Sequence, residues 1–227
     1  MKLKMKQQQQ PPLQNDYQIE GIFCLPVYTA KRDSELNSTE EKEIEDVIEE
    51  GMYNPGEDDS SGENLTSHNS YIFNTKLKKI KQFCEKHIDT YAKEILNPKE
   101  ETNYYITQSW LGITKPGQWH PHDRHSNSII SGVFYISTEE DDKLVWINPN
   151  NKEHCSQPVP RNFNIWNTPE WPFTVKNNLL LLFPSWMVHY VPINPSARSK
   201  PRITIAFNTF AKGRFGVAKN RNELILS

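Results

Sequence analysis

Cysteine is scarce in this chain: its 227 residues include only Cys24, Cys84 and Cys155, and no CxxC pair. Because these cysteines are odd in number and far apart, they support neither a disulfide framework nor a cysteine zinc site. No stretch approaches the roughly 18 consecutive apolar residues that a membrane-spanning helix needs. The basic start is followed by a glutamine run, 7–10, and two prolines, where a secretory signal would have an apolar segment. We therefore expect a cytoplasmic protein with no membrane partner.

A large net charge is absent as well. The chain has 26 Lys and Arg against 28 Asp and Glu, which gives a formal net charge of -2 at pH 7. This balance argues against a strongly basic nucleic-acid-binding protein, so we expect no nucleic-acid partner. The length suits one substantial core better than two domains. The sequence does not indicate an oligomeric state.

The composition divides the chain into four parts. We expect a flexible, polar tail, then a strand and supporting helices packed on a core, then the core itself, and finally a C-terminal tail. These parts cover residues 1–18, 19–103, 104–212 and 213–227. In the second part, the patterns predict a strand at 19–28, helices over 38–52 and 77–95, and an exposed loop over 54–69.

The third part is typical of an all-β structure. Short β-branched and aromatic runs are punctuated by Pro, Gly and Asn, and no helical pattern separates them. The predicted strands are 104–114, 128–138, 143–148, 173–175, 179–184, 189–193 and 202–210. The fold class that we predict is therefore mainly β with flanking helices, around a cupin-like jelly-roll core.

Metal-ligand residues are concentrated in the run His120-Pro-His-Asp-Arg-His125. Residues two apart on a strand point to the same side, so Asp123 can act with His125, or His120 with His122. Adding the distal His189 gives two histidines and a carboxylate in the first case and three imidazoles in the second. The first set is the facial triad of non-haem iron(II) enzymes, and we favour it. The second set is closer to a cupin-like site.

Two further candidates lie at the ends of apolar strands: His189 comes after one such strand, and Arg202 is the first residue of another. His189 comes directly after the nearly continuous apolar run 179–184, where the chain leaves the core. Arg202 lies thirteen residues further on, at the start of a strand, and its guanidinium suits a carboxylate ligand. Thr204 shares the strand face of Arg202 and adds a hydroxyl. Several tryptophans, namely Trp110, Trp119, Trp166 and Trp186, are candidates for the mouth of the site.

Four segments, together with the histidine-rich run 120–125, resemble the 2-oxoglutarate/Fe(II)-dependent oxygenases of bacteriophages and marine bacteria, which are distant relatives of prolyl 4-hydroxylases. The segments are SWLGITKPGQ, NSIISGVFYI, FPSWMVH and RITIAFN, at 109–118, 127–136, 183–189 and 202–208. The resemblance covers about residues 67–212. It implies a double-stranded β-helix fold that uses Fe(II), 2-oxoglutarate and O2 and releases succinate and CO2. For a phage protein, the location is the host cytoplasm.

The resemblance also implies site residues. His189 corresponds to the distal iron ligand, Arg202 to the residue that binds the 2-oxoglutarate C5 carboxylate, and Tyr135 to a strand tyrosine that contacts the same carboxylate. The family commonly has His-x-His before the Asn-Ser-x-x-Ser-Gly segment. Counting back from Ser131 puts Asp123 and His125 at these positions, so an Asp replaces the first His. A local slip that pairs His122 with His125 is the alternative register.

The function that we predict is a dioxygenase that hydroxylates an unidentified substrate, with a protein or peptide residue such as proline as one candidate. Two alternatives differ in class. One is a cupin-type metalloenzyme that uses His120, His122 and His189 without 2-oxoglutarate. The other is a non-catalytic jelly-roll protein with a binding or structural role, whose histidines are incidental.

Overall fold

The structure is a computed structural model that describes residues 21, 24–56, 62–98, 102–150, 159–195, 200–215 and 222–223. The tail predicted for residues 1–18 lies outside this part. Two α-helices are described, α1 (Ser38–Glu50) and α2 (Lys78–Tyr91). The described strands are β1 (Tyr28–Lys31), β2 (Met52–Tyr53), β3 (Leu65–Ser67), β4 (Thr102–Thr114), β5 (His120–Asp123), β6 (Ile130–Ser137), β7 (Lys143–Ile147), β8 (Glu170–Thr174), β9 (Leu179–Pro184), β10 (His189–Val191), β11 (Arg202–Phe215) and β12 (Asn222–Glu223).

The strands form two antiparallel sheets. The larger sheet has the order β1-β9-β6-β11-β4-β3-β2, with β12 also paired to β11, and the smaller sheet has the order β5-β10-β7-β8. From β4 to β11 the chain passes repeatedly between the two sheets, so neighbours within a sheet are distant in sequence. This connectivity is a double-stranded β-helix, and the prediction of a jelly-roll core with flanking helices is confirmed.

Alternation along β11 explains how one strand serves two environments. Ile205 and Phe207 are fully buried in a core formed by the larger sheet and both helices. Arg202 and Thr204 lie at the alternate positions and therefore face the other side of the sheet. A second core fills the space between the two sheets and contains Tyr135, Leu144, Trp146, Val175, Leu181, Phe183 and Met187. The outer core holds the larger sheet in place, while the polar side chains of Arg202 and Thr204 lie on the opposite face of that sheet.

The helices begin and end for local reasons. At the start of α1, the Asn37 side chain accepts hydrogen bonds from the backbone N–H groups of Thr39 and Glu40, which is a capping box. The helix ends at Glu50, two residues before the predicted end, because Gly51 adopts a φ of 123°. The α2 helix covers most of the second predicted helix and continues as a π-helical turn over Ala92–Leu96.

Several elements differ from the sequence prediction. The strand predicted at 19–28 is β1, which begins only at Tyr28; residues 24–27 are irregular, and 19–20 and 22–23 lie outside the described part. The exposed loop predicted over 54–69 contains β3, which pairs with β4. The short strand β5 was not among the predicted strands, because its Pro and charged residues hide the pattern. In the described part, no helix is long and apolar enough to cross a membrane.

Gly132 offers a test of this packing. A Cβ atom built on Gly132 would lie 2.1 Å from Cζ of Phe207, whose ring is fully buried. We expect Gly132→Ala to lower the free energy of unfolding by about 2 kcal/mol, because the ring has no space into which to move. Chemical denaturation measures the loss. In the Phe207→Leu background the same substitution should cost clearly less, and equal costs in both backgrounds would contradict the assigned contact.

Candidate metal centre

Asp123 and His189 lie directly opposite each other in the pairing of β5 with β10. Directly opposed residues of an antiparallel pair point to the same face of the sheet, so both side chains share one surface. His125 follows two residues after Asp123, and its backbone N–H donates to the Ser185 carbonyl at 2.9 Å. The rings of His125 and His189 then lie with their centroids 5.3 Å apart. The structure thus brings together the three favoured ligand candidates.

The protonation of the two histidines suits metal binding. The Nδ1–H of His189 donates to the Met187 carbonyl at 3.0 Å, so its Nε2 lone pair is the one left for a ligand. Burial lowers the pKa of His189 to about 4, and the neighbouring His125 and His120 also lower it. Burial likewise lowers the pKa of His125, although the Asp123 carboxylate opposes this effect. Both imidazoles are therefore neutral at pH 7, as metal ligands must be.

The Asp123 carboxylate is not within hydrogen-bond distance of His125. The Asp123 Oδ2 lies 3.9 Å from His125 Nδ1, and the side chain is 41 % exposed. Its Oδ1 accepts a hydrogen bond from the Arg124 backbone N–H at 2.6 Å. Among the described residues, no three His, Cys, Asp or Glu side chains are already arranged to hold a metal ion. By donor type and by the face they share, Asp123, His125 and His189 nevertheless fit iron(II), because two imidazoles and one carboxylate form its facial triad.

The alternative histidines are placed differently. The ring of His122 packs edge-on against Tyr190, with centroids 4.7 Å apart. Because Tyr190 is next to His189 on β10, the two side chains point to opposite faces, and His122 lies on the exposed one. His120 lies opposite Val191, and its Nδ1 contacts the Pro121 carbonyl at 2.8 Å. The structure therefore does not bring the three-imidazole set together, nor His122 with His125.

The buried guanidinium of Arg202 and its surroundings form a candidate anion pocket. Its side chain is 4 % exposed, and its Nη2 donates to Oδ1 of Asp142, which is itself buried. The Nε and Nη1 atoms of Arg202 are also buried and have no hydrogen-bond partner among the described residues. Buried guanidinium donors without acceptors carry a desolvation cost that a bound carboxylate would offset. Arg202 therefore fits the far carboxylate of 2-oxoglutarate.

Tyr135 and Thr204 lie beside this pocket. Tyr135 is buried in the inner layer, and burial raises the pKa of its phenol, whereas the Arg202 charge lowers it. The phenol is thus protonated at neutral pH and can donate a hydrogen bond. Thr204 is paired with both Tyr135 and Gly112 in the sheet. A Cβ on Gly112 would lie 3.0 Å from the Thr204 Oγ1, so the missing side chain leaves room for this hydroxyl.

A hydrogen-bonded network that was not anticipated from the sequence supports the histidine side of the site. Ser131 Oγ donates to Ser185 Oγ at 2.8 Å, and Ser185 Oγ donates to Ser128 Oγ at 2.7 Å. Asn208 Oδ1 lies within hydrogen-bond distance of Ser131 Oγ, at 3.0 Å. Ser131, Ser185 and Asn208 are all buried. Because Ser185 also accepts the bond from His125, the network ties three strands to the ligand loop. The only sequence signal was that its residues lie inside the four segments of the resemblance.

Asp142 was also missed. It lies in the turn between β6 and β7, a run of acids that is typical of a solvated surface. Its burial comes from the turn itself, because its Oδ2 accepts the Glu139 backbone N–H at 2.8 Å and its carbonyl accepts from Val175 at 2.9 Å. The buried Arg202, which donates to Oδ1 of Asp142, is a second partner for this carboxylate.

Comparison with known proteins agrees with this architecture. Residues 108–208 match the family described as Putative 2OG-Fe(II) oxygenase. No curated protein sequence matches the chain. The family match supports the resemblance predicted from the sequence, and the description of the matching family names Fe(II) and 2-oxoglutarate.

Solved structures with the same fold share little sequence. The 2-oxoglutarate-dependent carbocyclase SnoK of nogalamycin biosynthesis is 12 % identical with a TM-score of 0.55, covering 81 % of this chain and 79 % of its own. A Pseudomonas putida prolyl-4-hydroxylase is 10 % identical with a TM-score of 0.51, covering 81 % and 92 %. HygX from Streptomyces hygroscopicus, with nickel, 2-oxoglutarate and hygromycin B bound, is 10 % identical with a TM-score of 0.51, covering 82 % of both.

The buried His189 predicts a pH dependence of stability. Its pKa falls from the ordinary histidine value of 6.5 to about 4 in the folded protein, so the unfolded chain binds the proton first as the pH falls. In metal-free protein, we expect this group to lower the free energy of unfolding by about 2 kcal/mol between pH 7 and pH 5. Urea denaturation measures the free energy of unfolding at each pH, and its decrease from pH 7 to pH 5 should be smaller in His189→Gln. The full decrease should persist in His122→Gln, and a decrease unchanged in His189→Gln would refute the burial argument.

Proposed function

We propose that this chain, whose core is similar in sequence to the 2OG-Fe(II) oxygenase family, is a dioxygenase that hydroxylates a C–H bond of its substrate. The reaction consumes one substrate, one 2-oxoglutarate and one O2, and yields the alcohol, succinate and CO2. The observation that carries the proposal is the buried Arg202, whose Nε and Nη1 have no acceptor among the described residues. In this proposal, Arg202 binds a carboxylate, and His125 and His189 bind a metal ion.

In this proposal Asp123, His125 and His189 hold iron(II). When bound, the iron supplies the open coordination positions at which 2-oxoglutarate and O2 react, and the oxidising power for the C–H bond. The protein orients the ligands. The Met187 carbonyl fixes the tautomer of His189 through its Nδ1–H, and the Ser185 carbonyl fixes the backbone of His125.

Arg202 receives the C5 carboxylate of 2-oxoglutarate, with Tyr135 and Thr204 as hydroxyl donors beside it. Asp142 holds the guanidinium in place through Nη2 and leaves the other two nitrogens for the ligand. Charge-assisted hydrogen bonds of this kind are stronger than neutral ones, particularly where water is excluded. The buried environment of Arg202 therefore favours a dicarboxylate over a monocarboxylate co-substrate.

Aromatic walls exclude water from the histidine side. The ring of Phe183 packs edge-on against His189 at a centroid distance of 5.0 Å, and that of Trp110 lies 5.8 Å from His125. Of the tryptophans proposed for the mouth, Trp110 contacts the ligand candidate His125, whereas Trp186 is 53 % exposed. A dry wall limits attack of water on reactive species during turnover.

A prolyl residue of a protein or peptide remains one candidate substrate. Similarity to a prolyl-4-hydroxylase in fold supports this candidate only as an analogy, because folds host many reactions. The cupin-type alternative without 2-oxoglutarate receives less support, since His122 lies on the opposite face from His189. A non-catalytic role leaves the unpartnered nitrogens of Arg202 unexplained.

The metal-ligand assignment predicts which variants lose activity. We expect Asp123→Ala, His125→Ala and His189→Ala each to lower succinate formation from 2-oxoglutarate by more than about 100-fold, because each removes a metal ligand. Under anaerobic conditions, these variants should also lose the weak visible absorption band of the iron–2-oxoglutarate chelate. His122→Ala is the matched control and should retain both signals. Activity in Asp123→Ala with loss in His120→Ala and His122→Ala would instead support the other register.

The anion pocket predicts a different kinetic effect. Arg202→Ala should raise the KM for 2-oxoglutarate by about 30-fold or more, because it removes charge-assisted hydrogen bonds to the carboxylate. Iron binding, measured by titration with iron(II) under anaerobic conditions, should change little. Arg202→Lys should recover part of the affinity. A KM unchanged in Arg202→Ala would exclude this residue from the binding site of the co-substrate.

A further inference from the structure

A cavity of about 600 Å³ lies at the smaller sheet. It lies between the smaller sheet, the segment that precedes β8, and the N-terminal segment before β1. Its lining includes Leu25 and Val27 on the N-terminal side, Trp166 on the segment before β8, and Trp146 and Trp171 on the sheet. A Cβ on Gly21 would lie 3.6 Å from the Trp166 ring, so the two covering segments meet above the cavity.

The cavity and the metal centre share a wall. Trp146 on β7 is the register partner of His189 on β10, so the two side chains point to the same face. The ring of Phe183 contacts both, at centroid distances of 5.8 Å from Trp146 and 5.0 Å from His189. Met187 lines the cavity, and its carbonyl accepts the hydrogen bond from His189. The wall formed by Trp146 and Met187 therefore connects the cavity to the surroundings of His189.

The lining is aromatic and almost uncharged. Among the described residues that line the cavity, Glu170 is the one charged side chain, and its Oε2 already accepts a hydrogen bond from the Tyr190 hydroxyl at 2.9 Å. The same described lining offers no cation to receive an anion. Trp166 and Trp171 are 51 % and 45 % exposed, although large aromatic side chains gain by burial. Their faces are thus available to cover a flat apolar ligand.

One donor in this wall has no acceptor. The Nε1 atom of Trp146 is buried and makes no hydrogen bond in the described part of the structure. A buried indole N–H normally finds a partner, because leaving it unpaired is energetically unfavourable. An oxygen acceptor on the ligand would remove that cost.

We propose that this cavity binds the oxygenase substrate, and that the substrate is a neutral, multi-ring small molecule with a carbonyl, ether or hydroxyl oxygen for Trp146. That the bound molecule is a substrate rests on the proposed function. That the cavity binds such a molecule does not. The cavity lies within the range of about 300–1,000 Å³ that is typical of sites for such ligands. It is far larger than a single prolyl ring requires. Stacking between indole rings accounts for the ring system, and the lack of a cation in the described lining accounts for its neutrality.

The test uses three naphthalene probes and the full-length chain, as purified and after anaerobic loading with iron(II) and 2-oxoglutarate. Calorimetry measures the binding of 2-acetylnaphthalene, of naphthalene, and of 2-naphthoate, which has nearly the same shape as the ketone but carries a charge. We expect the ketone to bind at least about 10-fold more tightly than the carboxylate, because the described lining has no cation to compensate the buried charge. Equal affinities, or no binding of the ketone, would overturn the proposal.

Variants locate the site. Trp146→Phe should weaken ketone binding by about 5-fold, the value of one hydrogen bond, and leave naphthalene binding unchanged. Trp171→Ala, at a half-exposed position that tolerates truncation, should weaken both probes. Trp186→Ala is the matched control, because Trp186 is exposed and absent from the lining. If neither cavity variant changes binding, the probes bind elsewhere and the proposal is wrong.

A final comparison separates this inference from the proposed function. An acetylated, amidated proline-rich peptide that binds in place of the ketone, with loss of binding in Trp171→Ala, would assign the cavity to a peptide and refute the small-molecule class. Ketone binding without any succinate formation by the loaded enzyme would leave the cavity assignment intact and refute the oxygenase proposal. Succinate formation without ketone binding would support the oxygenase proposal and refute the cavity assignment.

Discussion

The site depends on the cross-strand pairing that sets Asp123 opposite His189. Both strands are short, and on its own this pair would not hold two side chains in register. The register is fixed because β10 also pairs with β7, where Trp146 packs into the inner core. A shift of one residue would turn His189 outward and bring Tyr190 inward, since strand side chains alternate. The geometry of the ligands is therefore a property of the whole smaller sheet.

The larger sheet contributes a different kind of order. Its outer face packs on α1 and α2 through apolar side chains, so the inner face can hold costly groups such as Arg202 and Asp142. Buried polar networks are stable only when nearly every member has a partner. The serine network around Ser185 meets this condition, whereas Arg202 does not. The buried polar groups beside the histidines thus have hydrogen-bond partners, whereas the Arg202 guanidinium lacks some of them among the described residues. A ligand is therefore expected at the guanidinium.

Much of the core could be predicted from the sequence. Period-two patterns and turn residues located seven of the eight strands from β4 to β11, because these strands alternate or are continuously apolar. The missed strand, β5, contains Pro121 and charged neighbours, and its pairing comes from tertiary contacts. Asp123, His125, His189 and Arg202 were found from residue type and spacing. Asp142 and Trp146 were not, because their importance arises from burial beside residues distant in sequence.

The ion pair between Arg202 and Asp142 has a consequence for the order of occupancy. One buried positive charge is already matched by one buried negative charge, so this corner of the protein is close to electroneutral before anything enters. A doubly charged dicarboxylate would bring an excess of negative charge into a poorly polarisable environment, and the divalent cation at the opposite end is its natural counterweight. In the proposed oxygenase, binding of the dicarboxylate and of the divalent cation would therefore be thermodynamically linked, and each would raise the affinity for the other by the same factor.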